Sequence, residues 1–412
     1  MLTAAVLVRL AIAVSVAAVV PDAPAARERR VEVRTLDELR VAASGAKPGD
    51  TILCAPGAYG AFAAEGWQGT DGAPIRLGAL DPTKPPVFER GMHLSRCEHI
   101  ELANLVVRGA PANGINIDDG GTITQPSRHV RLVNVVVEDV GGRANADGIK
   151  LSGVDDVTLE RCTVRRWGRG GSAVDMVGCH RATIDRCTFE DDPKDLASTG
   201  VQAKGGSSDV TIRRSRFVHA GQRAVNAGGS TGRDFFRPAL AETGNAEARR
   251  VTIEDCTFVG SLAPFAFVGV DGAIARHNTI YLPTKWVFRL LQESTGPAFV
   301  PSGNVELSRN LVVYRRGDRL PLVNVGPNTA PDTVRLDATY WFAIDEPGAP
   351  PPAGLPIRET NAVGGRDPGF VDAANDDFRL RDGSPAAGYG ARDGEPRGPQ
   401  GNGPSQKSPE RP

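Results

Sequence analysis

The chain has 412 residues, with 48 Lys and Arg against 49 Asp and Glu, so its formal net charge is −1. That balance gives no overall attraction to nucleic acid or to an anionic membrane surface and leaves room only for local charge. Forty-eight glycines, 31 prolines and an aromatic content of 6% suit many turns and short strands better than long helices.

In chain order, the first segment reads as an export signal over residues 1–25. Arg9 is followed by the apolar run Leu10–Val20, and Ala23-Pro-Ala25 offers a small-residue cleavage site. The run is too short to cross a bilayer comfortably. A mature chain starting near Ala26, secreted or periplasmic and with no later membrane span, is expected, an uncleaved anchor being the alternative. Leu36-Asp-Glu-Leu-Arg-Val-Ala-Ala43 then has an amphipathic helix pattern. Ahead of short strands, such a helix would cap the open end of a solenoid and hide edge strands.

From about residue 82 a pattern recurs some eight times: apolar, any, apolar, two polar residues, then Asn, Cys or Ser, any, apolar. Val157-Thr-Leu-Glu-Arg-Cys-Thr-Val164, Ala182-Thr-Ile-Asp-Arg-Cys-Thr-Phe189 and Val251-Thr-Ile-Glu-Asp-Cys-Thr-Phe258 are three copies. Cys162, Cys187 and Cys256 therefore share one slot with Ser215, Asn278 and Asn310, and Asn104 and Asn134 are placed in it too, in copies one residue shorter. The slot reads as an inward ladder at a bend, and a Cys162–Cys187 bridge is geometrically open. No Cys-x-x-Cys pair suggests a metal.

A second strand family precedes the ladder strands: Gly114-Ile-Asn-Ile-Asp118, Gly148-Ile-Lys-Leu-Ser152, Ala173-Val-Asp-Met-Val177, Gly200-Val-Gln-Ala-Lys204 and Ala224-Val-Asn-Ala-Gly228. Their starts are 34, 25, 27 and 24 residues apart, the length of a coil with three short strands. The expected fold is all-β, a single-stranded parallel β-helix solenoid with an N-terminal helical cap, spanning residues 26–391. An insertion over 229–248 should project beside the coils. Residues 317–358 read as Pro-rich and irregular, Asp367–Pro385 as a finishing coil, and 392–412 as a disordered tail.

Alternation sends the third residue of each second-family strand outward. That column reads Asn116, Lys150, Asp175, Gln202, Asn226, Phe267 and Arg289. Stacked coils set its members roughly 5 Å apart, so Lys150 to Asn226 make a polar strip of about 15 Å, with Lys204 beside it. A rigid strip of charge and amide suits an extended anionic polymer bound by a monomer. Asp147 and Asp118 are the nearby acids that could join Asp175 around calcium. The bland reading is an ordinary cross-strand Lys150–Asp175 ion pair on a solvated sheet.

On the coil repeat, the ladder, the helical cap and Asp377-Phe-Arg-Leu380, the chain resembles the pectin-lyase-like right-handed β-helix proteins. Val201-Gln-Ala-Lys204-Gly with Asp209-Val-Thr-Ile-Arg-Arg-Ser-Arg-Phe217 looks like the lysine rung of alginate lyases and chondroitinase B. The resemblance implies β-elimination on an acidic, uronic-acid polysaccharide, with Lys204 as base. It also implies an Arg one coil later and a calcium ion to neutralise the uronate carboxylate. Strict counting puts Asn226 or Ala227 at the Arg position and Arg223 nearer the turn, the family's His is missing, and no calcium ligand set carries over.

Lys204, Arg223 and Lys150 are thus the catalytic candidates, and Asp175, Gln202, Asn226, Asn116 and Arg289 the substrate-binding ones. Two further classes stay open. Asn145-Ala-Asp147-Gly resembles the Asn-Thr-Asp-Gly strand of polygalacturonases, which would make Asp147 and Asp175 a hydrolytic pair. A β-helix that binds glycan without cleaving it is the other.

Overall fold

The computed structural model describes residues 29–392. The expected export signal and all but the first residue of the expected tail lie outside the described residues. Among the described residues no helix is long and apolar enough to cross a membrane.

Successive coils contribute strands to three parallel sheets, of 13, 10 and 12 strands among the described residues, whose members follow chain order. The expected all-β parallel β-helix is therefore what the chain forms. Alternation builds the core: Ile149, Leu151, Val174, Met176, Val201 and Ala203, the second and fourth residues of three successive strands, are all buried. Aromatic rings stack along the same axis, with Phe217 4.9 Å from Phe189 and 4.6 Å from Phe258 between centroids. Burying one such side chain stabilises by roughly 1.5–3 kcal/mol.

Helix α1 (Leu36–Ser44) closes the N-terminal end as expected. Its N-cap Thr35 accepts from the Glu38 N–H, and Leu39, Ala42 and Ala43 are buried against the first coil.

The ladder departs from the sequence reading at its start. The register aligns Val106, Val136, Thr163, Thr188, Arg216, Thr257, Thr279 and Leu311, so the inward slot before them holds Leu105 and Val135, not Asn104 and Asn134. Those asparagines sit one residue earlier, at φ 55° and 52°, a left-handed position where Asn is tolerated. Where the slot is polar, it satisfies the bend. Asn278 Oδ1 accepts from Cys256 N at 3.0 Å, and Asn310 Oδ1 accepts from Asn278 N at 3.0 Å. All six cysteines are buried free thiols, Cys162 and Cys187 included.

The stretch 317–358 is more regular than its prolines suggest. Leu322–Val325, Arg335–Asp337 and Tyr340–Ala343 add one more strand to each sheet. The finishing coil is instead an antiparallel pair, Phe370–Asp372 with Asp377–Leu380, whose Phe370 and Phe378 pack on Leu311, Val313 and Tyr340. Arg392, expected to open the tail, is held by Asp255 at 2.6 Å.

Candidate functional site

The ten-stranded sheet carries the outward column. Its register pairs Asn116 with Lys150, Lys150 with Asp175, Asp175 with Gln202, and Gln202 with Asn226. Asn226 then pairs with Ala266 and Ala266 with Arg289. Phe267 is not in the column. It pairs with Ala227 and is buried, because Phe265 and Phe267 are the inward residues of their strand and leave the outward place to Ala266, which is itself covered.

Four charges gather at the column's centre. Lys150 Nζ closes on Asp175 and lies 3.6 Å from Asp147, while Lys204 Nζ lies 3.5 Å from Asp175 Oδ1. The Asp175 side chain is 4% exposed against 23% for Lys150 and 20% for Lys204, so the anion sits beneath and the ammonium groups above. Burial alone would lower the Lys150 proton affinity, but Asp175 and Asp147 together outweigh it and hold the ammonium above its usual range. Burial, then Asp175, pushes the Asp147 carboxyl up. Asp147 Oδ1 also accepts from Ser172 N at 2.8 Å, tying it to the next coil.

The amides beside this cluster are roofed. Gln202 Nε2 and Asn226 Nδ2 both donate to the Gly228 carbonyl, at 3.3 and 3.2 Å. Asn226, expected on an open face, is 1% exposed. The cause is Gly229, whose φ of +146° carries the chain across the column; a Cβ there would lie 2.4 Å from Gln202 Nε2 and 3.5 Å from Lys204 Cδ. Only glycine fits.

Arg223 opens the strand after Lys204 but reaches away from it, donating to Glu293 Oε1 at 2.9 Å. There it neighbours Arg289, which stacks over Trp286 at 4.2 Å and donates to Asn324 Oδ1 at 3.1 Å. Burial, then Arg223, lowers the Arg289 affinity for its proton. Lys285 lies over the same indole at 4.3 Å, so this end of the column is cationic. At the other end Asn116 Nδ2 donates to Asp118 Oδ2 at 2.8 Å.

Asp118 and Asp147 do not form a joint calcium site. Asp118 is bonded by Ser95 at 2.7 Å, by His93 at 2.6 Å and by Gly120 N at 3.0 Å. Burial would raise its carboxyl, but these bonds hold it below the usual range. The space between Asp147 and Asp175 is taken by the Lys150 ammonium, so an ion would have to displace a cation already there. The donor set does not fit calcium.

Glu247 went unnoticed in the sequence because it lies in the insertion, outside any repeat. Fully buried, it accepts from Gly205 N at 2.9 Å, Thr231 N at 3.0 Å, Thr231 Oγ1 at 2.7 Å and from Ser294. It thereby fixes the turn that follows Lys204. The insertion is pinned rather than projecting: Arg237 bonds Asp155 and, at 2.7 Å, the Gly178 carbonyl.

The sequence signature described as "Right handed beta helix region" matches residues 90–233, the coils that carry Asn116 to Asn226. No curated protein matches this chain in sequence. Among solved structures, an alginate lyase from Paenibacillus sp. str. FPU-7 is 17% identical, with 82% of this chain and 99% of that one covered and a TM-score of 0.48. A polysaccharide lyase from Pseudopedobacter saltans is 12% identical, with 88% and 99% covered and a TM-score of 0.49. A lacto-N-biosidase from Eubacterium ramulus is 11% identical, with 80% and 63% covered and a TM-score of 0.44. The protein is a right-handed parallel β-helix protein, the class its sequence led us to expect.

Proposed function

We propose that this protein is an exported enzyme that acts on an anionic, uronic-acid polysaccharide by β-elimination. The observation that carries the reading is the sharing of one buried carboxylate, Asp175, by two half-buried lysines on the coils either side of it. Elimination needs an amine able to take the proton beside the uronate carboxylate, and a cation to neutralise that carboxylate. Lys150 is held charged between two acids and cannot be the base. Lys204, which shares only Asp175, is the amine left for that role. Arg223 and Arg289, crowded together one and three coils further on, favour a polymer that carries repeated negative charge.

The hydrolytic pair is disfavoured by geometry. Inversion needs room for a water between two carboxyl groups, yet Asp147 and Asp175 close on one ammonium. The test is ultraviolet absorbance of the unsaturated uronate on alginate, pectate, chondroitin and heparin. A rise on one polymer names the substrate. New reducing ends without absorbance would replace elimination by hydrolysis, and binding without either product would leave a glycan-binding β-helix.

A further inference from the structure

A second column of outward residues runs along the 13-stranded sheet, where each coil enters it in a left-handed turn. Its members are His99, His129, Asp156, Arg181, Asp209 and Arg250, with φ between 49° and 58°. From Asp156 onward the column closes on itself by charge. Arg181 grips Asp156 at 2.7 and 2.9 Å, and Arg250 grips Asp209 at 2.6 and 2.8 Å. The first two members break the rule. His99 and His129 are identical, cannot pair by charge, and stack with ring centroids 4.1 Å apart and planes 16° from parallel.

Glu98 completes the group. Consecutive strand residues normally face opposite ways, but the left-handed turn at His99 (φ 49°) brings its ring round to the side of Glu98. Glu98 Oε1 then lies 3.8 Å from His99 Nε2. The ligand atoms of Glu98, His99 and His129 all fall within 4.8 Å of one another, and among the described residues no other His, Cys, Asp or Glu trio does so. Neither imidazole makes a hydrogen bond among the described residues, so their nitrogens are open. Arg128 Nε stands 3.9 Å from Glu98 Oε1, beyond hydrogen-bond reach, and leaves that oxygen available.

We infer that Glu98, His99 and His129 bind a divalent transition-metal ion of the zinc type. Two imidazoles and one carboxylate are a donor set such ions take, with bonds of about 2.0–2.2 Å and an open fourth position. Ligands on one ion lie roughly 3.3 Å apart at that bond length, so the two stacked rings must turn out of their parallel arrangement for a nitrogen of each to point at the ion. His99 and His129 line a cavity of about 580 Å³ bounded also by Thr70, Arg76 and Asp156, which has room for water in the fourth position. An ion here would clip two adjacent coils near the N-terminal end of the solenoid. To the extent that it binds the native state more tightly than the unfolded chain, it would raise the melting temperature.

The test is titration of the metal-stripped full chain, made without a polyhistidine tag, with Zn²⁺ by calorimetry and with Co²⁺ by visible absorption. One equivalent should bind, without the thiolate charge-transfer band a cysteine site would give. His99→Asn and His129→Asn should each weaken Zn²⁺ by more than ~100-fold, beyond the about 10–100-fold that loss of an outer partner costs. His93→Asn, at an exposed histidine elsewhere, should bind like the parent. Absence of saturable uptake, or equal affinity in the His99 and His129 variants with circular dichroism unchanged, would overturn the site.

Discussion

Lys150 and Asp175 hold the same position on adjacent coils, and their charges meet with Asp147 on the other side of the ammonium. The arrangement makes Asp175 the hinge of the cluster, since Lys204 leans on it as well. Asp175→Asn would leave two ammonium groups facing an amide. Breaking a buried pair from one side costs about 3–5 kcal/mol. Urea unfolding should therefore show a lower midpoint with the slope unchanged, and a midpoint equal to the parent's would show that the pair is merely superficial.

Lys204→Ala should lower the elimination rate by about 10²–10⁴-fold, the range a general base contributes, and should melt above Asp175→Asn because Lys150 still pairs with Asp175. Lys204→Arg should be as poor, because a guanidinium does not give up its proton. Steady-state absorbance assays on the substrate found by the polymer panel decide this. Full activity in the Arg variant would assign Lys204 to charge neutralisation and send the search for a base elsewhere.

The solenoid was legible because repetition reports the same contact many times: Val157, Ala182, Val210 and Val251 all announce one inward position, and all four are buried. Shifts of a single residue were not legible. Asn104 and Asn134 mimic the chemistry of the inward slot while occupying the turn before it, and only strand register separates the two. Phe267 failed in the same way, since a strand with two inward aromatics leaves its outward place to an alanine. The site was half legible. Lys150, Asp175 and Lys204 meet because they belong to the repeat. Glu247 and Gly229 come from an insertion whose path no periodicity records, and Arg223 turns to Glu293, a partner 70 residues away.

The six thiols should be silent to a disulfide-exchange reagent in the native protein and all react once it is unfolded. Burial pushes Cys54 and Cys179 up to about 12 and Cys97 up to about 11 and raises Cys187 and Cys256, so these hold almost no thiolate near neutral pH. The hydrogen bond from Cys187 lowers Cys162 instead, and its silence rests on its burial from the reagent. Reductant should leave the melting temperature unchanged, because no bond is there to break. A drop on reduction would show that Cys162 and Cys187 are bridged in solution.

Asp209 supplies a pH-dependent term of known sign. Arg250 and then Ser208 bring its carboxyl from the usual 3.8 down to about 2, so the folded state favours the charged form. The stabilisation is complete above the unfolded value and is lost as pH falls through the folded one. Both partners are well exposed, which limits the effect to roughly 0.2–1 kcal/mol. Asp209→Asn should thus be slightly less stable than the parent at pH above ~4 and converge with it near pH 2. Parallel stability curves across that window would remove Arg250 as the cause.

Phe217 is a fully buried interior position where truncation would open a void in the solenoid. It stands between Phe189 and Phe258, one ring per coil, and its stack with Phe258 is nearly parallel at 14°. Phe217→Ala would remove both contacts and open a void that a rigid coil cannot collapse to fill, at a cost of about 3–5 kcal/mol. Coils touch mainly their neighbours in a solenoid, so the loss should be local. Hydrogen exchange should quicken in Thr188–Glu190, Arg216–Val218 and Thr257–Val259, and Arg30–Val33 at the capped end should keep its protection. Uniform loss along the whole chain would instead mean that the β-helix unfolds as one cooperative unit.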